Sequence, residues 1–234
     1  MSNFYFQFKQ FTVWHDKCGM KVGTDGVLLG SWVRVAAARR ILDVGTGTGL
    51  LALMMAQRSD ATIVALDVDK NAVCQARENV SGSPWKNRIS ILESDFREYM
   101  PDEKFDVIVS NPPYFVDSLI SPDRQRTMAR HSSGLTYNEL LVGVSSLLSD
   151  EGEFNVVVPA DTAPMFIDKA RMYGLYPARQ LLVKTKPGDI PKRALIVFSF
   201  IEKECKTDEL LTELARHKYS SQYIALTRDY YLNM

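Results

Sequence analysis

Residues 40–58, "RILDVGTGTGLLALMMAQR", decide the fold. The first five are β-prone and largely apolar, and the last nine, rich in Leu, Met and Ala, favour a helix. Between them Gly45, Gly47 and Gly49 supply a turn that needs positive φ or a close backbone approach. A strand that passes through such a turn into a helix is the opening unit of an α/β sheet.

Outward from this unit the same alternation continues. "TIVALDV" (62–68), "RISILES" (88–94) and "FDVIVSN" (105–111) read as strands, and "GEFNVVVP" (152–159), "ARQLLVKTK" (178–186) and "RALIVFSFI" (193–201) as three more. Helices are expected from a cap at Asp69 through Val80, over 136–148 and over 161–173. Ala72, Val73, Ala76 and Val80 share one face of the first of these. Strands that are almost continuously apolar need cover on both faces, which predicts a doubly wound, mostly parallel sheet of seven strands. The last two are separated only by "PGDIPK", which predicts an antiparallel hairpin at the sheet end. One domain is expected, with residues 1–40 as an N-terminal extension and 41–234 as the Rossmann-like core. The closing "YSSQYIALTRDYYLNM" reads as an aromatic-rich helix docked on the body.

Bulk properties narrow the classes. With 46% hydrophobic and 24% charged residues in 234, the chain can bury a full core. No apolar run approaches the roughly 20 residues needed to span a bilayer. The start shows none of the three regions of a signal peptide. Cys18, Cys74 and Cys205 are odd in number and far apart, so neither a disulfide framework nor a zinc site is expected. These features point to a cytoplasmic protein without a membrane partner, a metal or an obligate protein partner. The formal net charge is zero, but residues 1–40 carry six basic groups against two acidic ones, and residues 176–201 five against one.

Three features sit at the ends of successive strands, where open α/β sheets bind ligands. The glycines follow a GxGxG spacing rather than the GxGxxG of pyrophosphate binders, which suits a cofactor without phosphates. Asp43, two residues before Gly45, is placed to hold the cationic amino-acid end of S-adenosyl-L-methionine. Asp67, 22 residues after Gly45, is a candidate acceptor for ribose hydroxyls, and Asp95 and Phe96 for the amino group and ring face of adenine.

The fourth strand ends in Asn111-Pro112-Pro113-Tyr114. This is either ordinary strand punctuation or a device for holding a planar nitrogen. A residue before proline is pushed into extended conformation, and the prolines fix φ and donate no N–H. The Asn111 side-chain oxygen and the Pro112 carbonyl can then accept both hydrogens of an exocyclic amine, leaving its lone pair aimed at an electrophilic methyl. Tyr114 offers a ring face for a flipped-out base.

"DVGTGTG" together with "SNPPY" resembles the class I S-adenosylmethionine-dependent methyltransferases that act on planar nitrogen. "HDKCGMKVGTDGVLLGSW" before the glycine turn, with "MARH" after the catalytic loop, is similar to the bacterial branch that modifies N6 of the adenine just 3′ of the anticodon, position 37, in tRNA(Val). That resemblance implies that Lys21, Gly23, Thr24 and Asp25 neighbour the cofactor and that the partner is the anticodon stem-loop of a tRNA. On an RNA substrate the basic residues Arg34, Arg39, Arg40, Arg126, Arg130, Lys184, Lys186, Lys192 and Arg193, with His131, become candidate contacts. The rivals are a protein-glutamine N5-methyltransferase, a guanine-N2 methyltransferase of ribosomal RNA, and a non-catalytic RNA-binding protein on the same fold. Only about 40 residues precede the glycine turn, against the longer helical domain of the first rival, and the second often carries a duplicated domain.

Overall fold

In a computed structural model of the protein, described for residues 3–19, 21–113, 134–216 and 218–234, the apolar runs form an eight-stranded sheet. A short antiparallel hairpin of β1 (Tyr5–Gln7) and β2 (Thr12–Trp14) precedes it, followed by helix α1 (Thr24–Trp32). Then come β3 (Arg40–Val44), α2 (Leu50–Arg58), β4 (Thr62–Asp67), α3 (Lys70–Ser81), β5 (Ile89–Glu93) and β6 (Phe105–Ser110). Beyond them run α4 (Tyr137–Leu147), β7 (Leu148–Pro159), α5 (Ala163–Arg171), β8 (Tyr176–Lys184) and β9 (Arg193–Ser199). β10 (Lys206–Leu211), the small β11 (Glu213–Ala215) and β12 (Lys218–Tyr219), and α6 (Ser221–Thr227) complete the order.

The sheet order is β10-β8-β9-β7-β6-β3-β4-β5. Only β9 runs antiparallel to its neighbours, β7 and β8. β3 pairs in parallel with both β4 and β6, so the winding direction reverses between β3 and β6 and opens a crevice at their carboxyl ends.

All seven expected strands form, and β8 and β9 make the expected hairpin. An eighth strand, β10, lies outside them, parallel to β8. Its sequence "KTDELL" exposes its first four residues and buries only Leu210. A polar edge strand has neither the alternation nor the apolar run by which strands are read, and its charges guard the open edge of the sheet.

Alternation within the strands divides the core. Leu42 and Val44 of β3, Phe154, Val156 and Val158 of β7, and Ala194, Ile196 and Phe198 of β9 face α4 and α5. Ile41, Val109, Val157 and Leu195 face the other side, with α1, α2 and the chain ends. α2 buries all seven residues from Leu50 to Ala56, which is why its sequence shows so little amphipathic pattern. Local signals set the other helix starts. Asp69 caps α3 by accepting from Asn71 N (2.8 Å), and Thr136 and Glu139 form a capping box on α4.

The N-terminal extension is held on this body by two buried amides of α3. Asn79 accepts from Trp14 N (2.9 Å) and donates to Trp14 O (2.9 Å) and to Thr48 O (2.8 Å) in the glycine turn. Gln75 accepts from Lys17 N (2.9 Å). The two ends of the chain meet as well: Phe8 bridges Tyr231, and Lys9 N donates to Tyr230 O (2.8 Å).

Candidate active site

The glycine turn occupies the carboxyl end of β3 with φ of +72° at Gly45, +56° at Gly47 and +81° at Gly49. A side chain would be strained at each of these positions, so the turn explains all three glycines. Two anchors fix it. Gly45 N and Thr46 N both donate to Leu66 O (2.9 Å each), and Gly47 N donates to one carboxylate oxygen of Asp67 (2.8 Å). The other Asp67 oxygen accepts from Asp69 N (2.9 Å). The residue expected to meet a ribose therefore also holds the turn, and each of its oxygens retains a second lone pair for a hydroxyl.

Asp43 is fully buried. Its Oδ2 accepts from Thr46 Oγ1 (2.6 Å) and Ala52 N (3.2 Å), while its Oδ1 has no hydrogen-bond partner. Burial pushes its pKa up to about 7, against the lowering effect of the bonds from Thr46 and Ala52. An orphaned buried carboxylate oxygen is costly unless a donor meets it. A cationic amine at the turn would supply that donor, so the orphaned oxygen fits the ammonium end of S-adenosyl-L-methionine.

A slot opens beside the turn, lined by Val44, Gly45, Leu66, Asp67, Ser94 and Phe96 among others. Phe96 is buried, with its ring pressed against α4, where a Cβ on Gly143 would stand 2.4 Å from Phe96 Cε1. Asp95, assigned from sequence to the adenine amino group, is clamped by Arg97, whose Nε lies 2.9 and 3.0 Å from its two oxygens. The Arg97 guanidinium holds the Asp95 carboxyl below its usual range. Arg97 also donates to Glu139 (3.2 Å), joining the end of β5 to the first turn of α4. Arg97 is a residue of the slot that sequence reading missed, although its place two residues after Asp95 is the signal for such a pair.

β6 brings Asn111 to the same rim. Ser110 Oγ donates to Val44 O (2.9 Å), tying the ends of β6 and β3 together one residue before Asn111. Pro112 is buried, and the peptide bonds here are trans. Gly23 caps α1, Thr24 opens it, and at Gly26 an added Cβ would lie 3.0 Å from Leu50 Cδ2 and 4.0 Å from Asn111 Nδ2. The first turn of α1 therefore lies against both the start of α2 and the Asn111 side chain. Lys21 is exposed, two residues before that cap. Tyr114, Arg126, Arg130 and His131 lie outside the described residues.

The basic candidates fall into two groups. Arg34, Arg39 and Arg40 lie at the amino end of the sheet, about 16 Å along the strands from Asn111, since Arg40 starts β3 and Asn111 follows β6. Arg40 is already paired with Glu103 (2.8 Å). The structure does not bring these three to the catalytic rim. Lys184, Lys186, Lys192 and Arg193 do lie at that rim, at the end of β8, in the following loop and at the start of β9. Lys184 pairs with Glu209 and Arg193 with Asp25 (2.8 Å each), whereas Lys186 and Lys192 are exposed. Among the described residues, no group of three or more His, Cys, Asp and Glu side chains could hold a metal, and no helix is long and apolar enough to cross a membrane.

Comparison with known proteins agrees with this geometry. The methyltransferase small domain matches residues 19–162. A Bacteroides thetaiotaomicron protein named tRNA1(Val) (adenine(37)-N6)-methyltransferase is 61% identical over the full length of both chains. A Citrobacter koseri protein of the same name is 43% identical, covering 98% of this chain and 95% of its own. Among solved structures, one described as a predicted O-methyltransferase from Agrobacterium tumefaciens superposes with a TM-score of 0.65 at 18% identity, covering 90% of this chain and all of its own. The ribosomal protein L11 methylase of Lactobacillus delbrueckii gives 0.53 at 17% identity, over 74% and 76% of the two chains. These structural likenesses speak for the fold alone. With its glycine turn, its Asn-Pro-Pro strand end and full-length identity to its relatives, the chain belongs to the methyltransferase small-domain family, in the same branch as the bacterial proteins named tRNA1(Val) (adenine(37)-N6)-methyltransferase.

Proposed function

We propose that the protein transfers a methyl group from S-adenosyl-L-methionine to N6 of adenine 37 in tRNA(Val). The observation that carries this reading is the placement of Asn111 at the switch-point rim, beside the glycine turn, in a chain 61% identical from end to end to an enzyme so named. The bound cofactor supplies a methyl group activated by a sulfonium centre. Asp43 holds its ammonium, Asp67 accepts from its ribose, and Asp95 and Phe96 receive its base. Asn111 Oδ1 and the Pro112 carbonyl accept the two hydrogens of the target amine. They turn its lone pair outward and stabilise positive charge as it grows on nitrogen. Tyr114 stacks on the adenine. No strong base is needed, because the proton leaves after transfer. The 234 residues act as one domain, and the reaction is assigned to the cytoplasm, where an unmodified tRNA anticodon loop is available.

Incubation with labelled S-adenosyl-L-methionine and unmodified tRNA(Val), followed by digestion to nucleosides, should yield N6-methyladenosine. Label in N2-methylguanosine, or in protein glutamine when a release factor is supplied instead, would overturn the assignment.

A further inference from the structure

A groove of about 760 Å³ lies on the same rim, at the β8–β9–β10 end of the sheet. Thr24 and Asp25 of α1 form one side, the loops after β8 and β10 contribute Thr185, Lys192 and Thr212, and β12 contributes Tyr219. Its far wall is aromatic and built from both ends of the chain. Tyr219 lies 5.2 Å from Tyr223, Tyr223 6.5 Å from Tyr231, and Tyr231 5.8 Å from Phe6, centroid to centroid. The middle of this series is buried, Tyr223 at 4% exposure, but its two ends are open, Tyr219 at 38% and Phe6 at 36%.

We infer that this groove is the seat for unpaired nucleotides flanking the target adenine, with Tyr219 and Phe6 as stacking platforms. The inference rests on the reading above that the substrate is a tRNA anticodon loop. The groove shares the first turn of α1 with the catalytic rim, where Gly26 lies against Asn111 and Thr24 and Asp25 face the groove. A strand whose adenine enters at Asn111 therefore passes directly along it. Single-stranded RNA is held by rings that stack on splayed bases, and every base offers a π-face. The charges fit the same occupant. The two rim loops carry Lys186, Lys192, Arg216 and Lys218 against Asp189 and Glu213, four cations to two anions. The groove wall itself is close to neutral, because Arg193 is paired with Asp25. Stacking, rather than phosphate contact, is therefore its main contribution.

The test uses the full chain and a tRNA(Val) anticodon stem-loop carrying 2-aminopurine next to the target adenine. Wild-type protein should quench that fluorescence, and Tyr219→Ala should remove the quench and raise the KM for RNA about tenfold. Tyr219→Phe, which keeps the ring, should restore both. The dissociation constant for S-adenosyl-L-methionine should stay within twofold in each variant, which separates a lost platform from a misfolded protein. Phe6→Ala should act in the same direction. The inference is overturned if the quench and the RNA KM are unchanged in Tyr219→Ala while wild-type protein still forms N6-methyladenosine. It is equally overturned if the alanine variant instead dissociates a dimer seen by sedimentation, which would make the groove an interface between copies. Absence of N6-methyladenosine with wild-type protein would reject the tRNA reading itself, independently of the groove.

Discussion

The β3–β4–β5 side and the β7–β10 side of one rim are built on opposite plans. On the first, a backbone turn is wired to two carboxylates, and the working groups are buried or fixed by hydrogen bonds. On the second, open rings line a broad, nearly neutral groove whose parts come from distant stretches of chain. A small invariant ligand rewards a rigid socket, whereas a large polymer is gripped by many modest contacts. Substitutions on the first side should therefore act sharply at single residues, and those on the second should act by degrees.

Asn111 stands where the two sides meet, and its loss should produce the largest effect. Asn111→Ala is expected to lower kcat by about 10²–10³-fold, the scale of a lost transition-state acceptor, with cofactor affinity within twofold. Single-turnover rates and calorimetry would check this, and near-normal turnover would remove Asn111 from the chemistry.

Asp43→Asn should weaken cofactor binding about 10–100-fold, as expected when a buried charge pair loses its anion. The wild-type pH dependence follows from the pKa raised to about 7. On the proposed assignment it is ionised Asp43 that holds the ammonium, so affinity should rise about tenfold between pH 6 and pH 8. In the cofactor-free protein the sign reverses. The folded state holds a proton on Asp43 that the unfolded state has released, so this residue's contribution to stability falls as pH rises from about 4 to about 7. Asp43→Asn should flatten both profiles, as read by titration calorimetry and thermal melts.

A smaller effect is expected from Gly143→Ala. Its methyl would meet the Phe96 ring at 2.4 Å, so stability should drop by about 1–3 kcal/mol and the slot beside the turn should distort. Denaturant melts and cofactor titration would show both. Arg97→Ala should do least. Its pairs with Asp95 and Glu139 are solvent-screened surface contacts, so a denaturant melt of the variant should all but overlay that of the wild type.

The same contrast explains what was legible in the sequence. The glycine turn, the Asp69 cap and the strand-end Asp67 are local devices, each encoded within a few residues of where it acts. Asn111 could be placed because proline constrains its own neighbour. β10 escaped because a polar edge strand carries no apolar pattern, and the capture of Asp95 by Arg97 because the two side chains meet only once the turn after β5 has closed. The aromatic groove could not be read at all. Phe6 and Tyr219 are more than 200 residues apart, and Tyr231 reads as packing until the fold sets it beside Phe6. Arg34, Arg39 and Arg40 stand out in the sequence only as a local surplus of basic residues, which carries no information on which end of the sheet they occupy, and the fold sets them at the end away from Asn111.

The joining of Phe8 and Lys9 to Tyr231 and Tyr230 also sets a timetable for biosynthesis. More than 220 positions separate those partners, and a ribosome adds about 5–20 residues per second. The segment that carries α1 to the catalytic rim must therefore wait on the order of ten seconds or more for its C-terminal partners to be made. Until then Phe6 and Phe8 lack the Tyr231 ring that they meet in the finished fold, and they are the stretch that a chaperone acting during translation would be expected to shield.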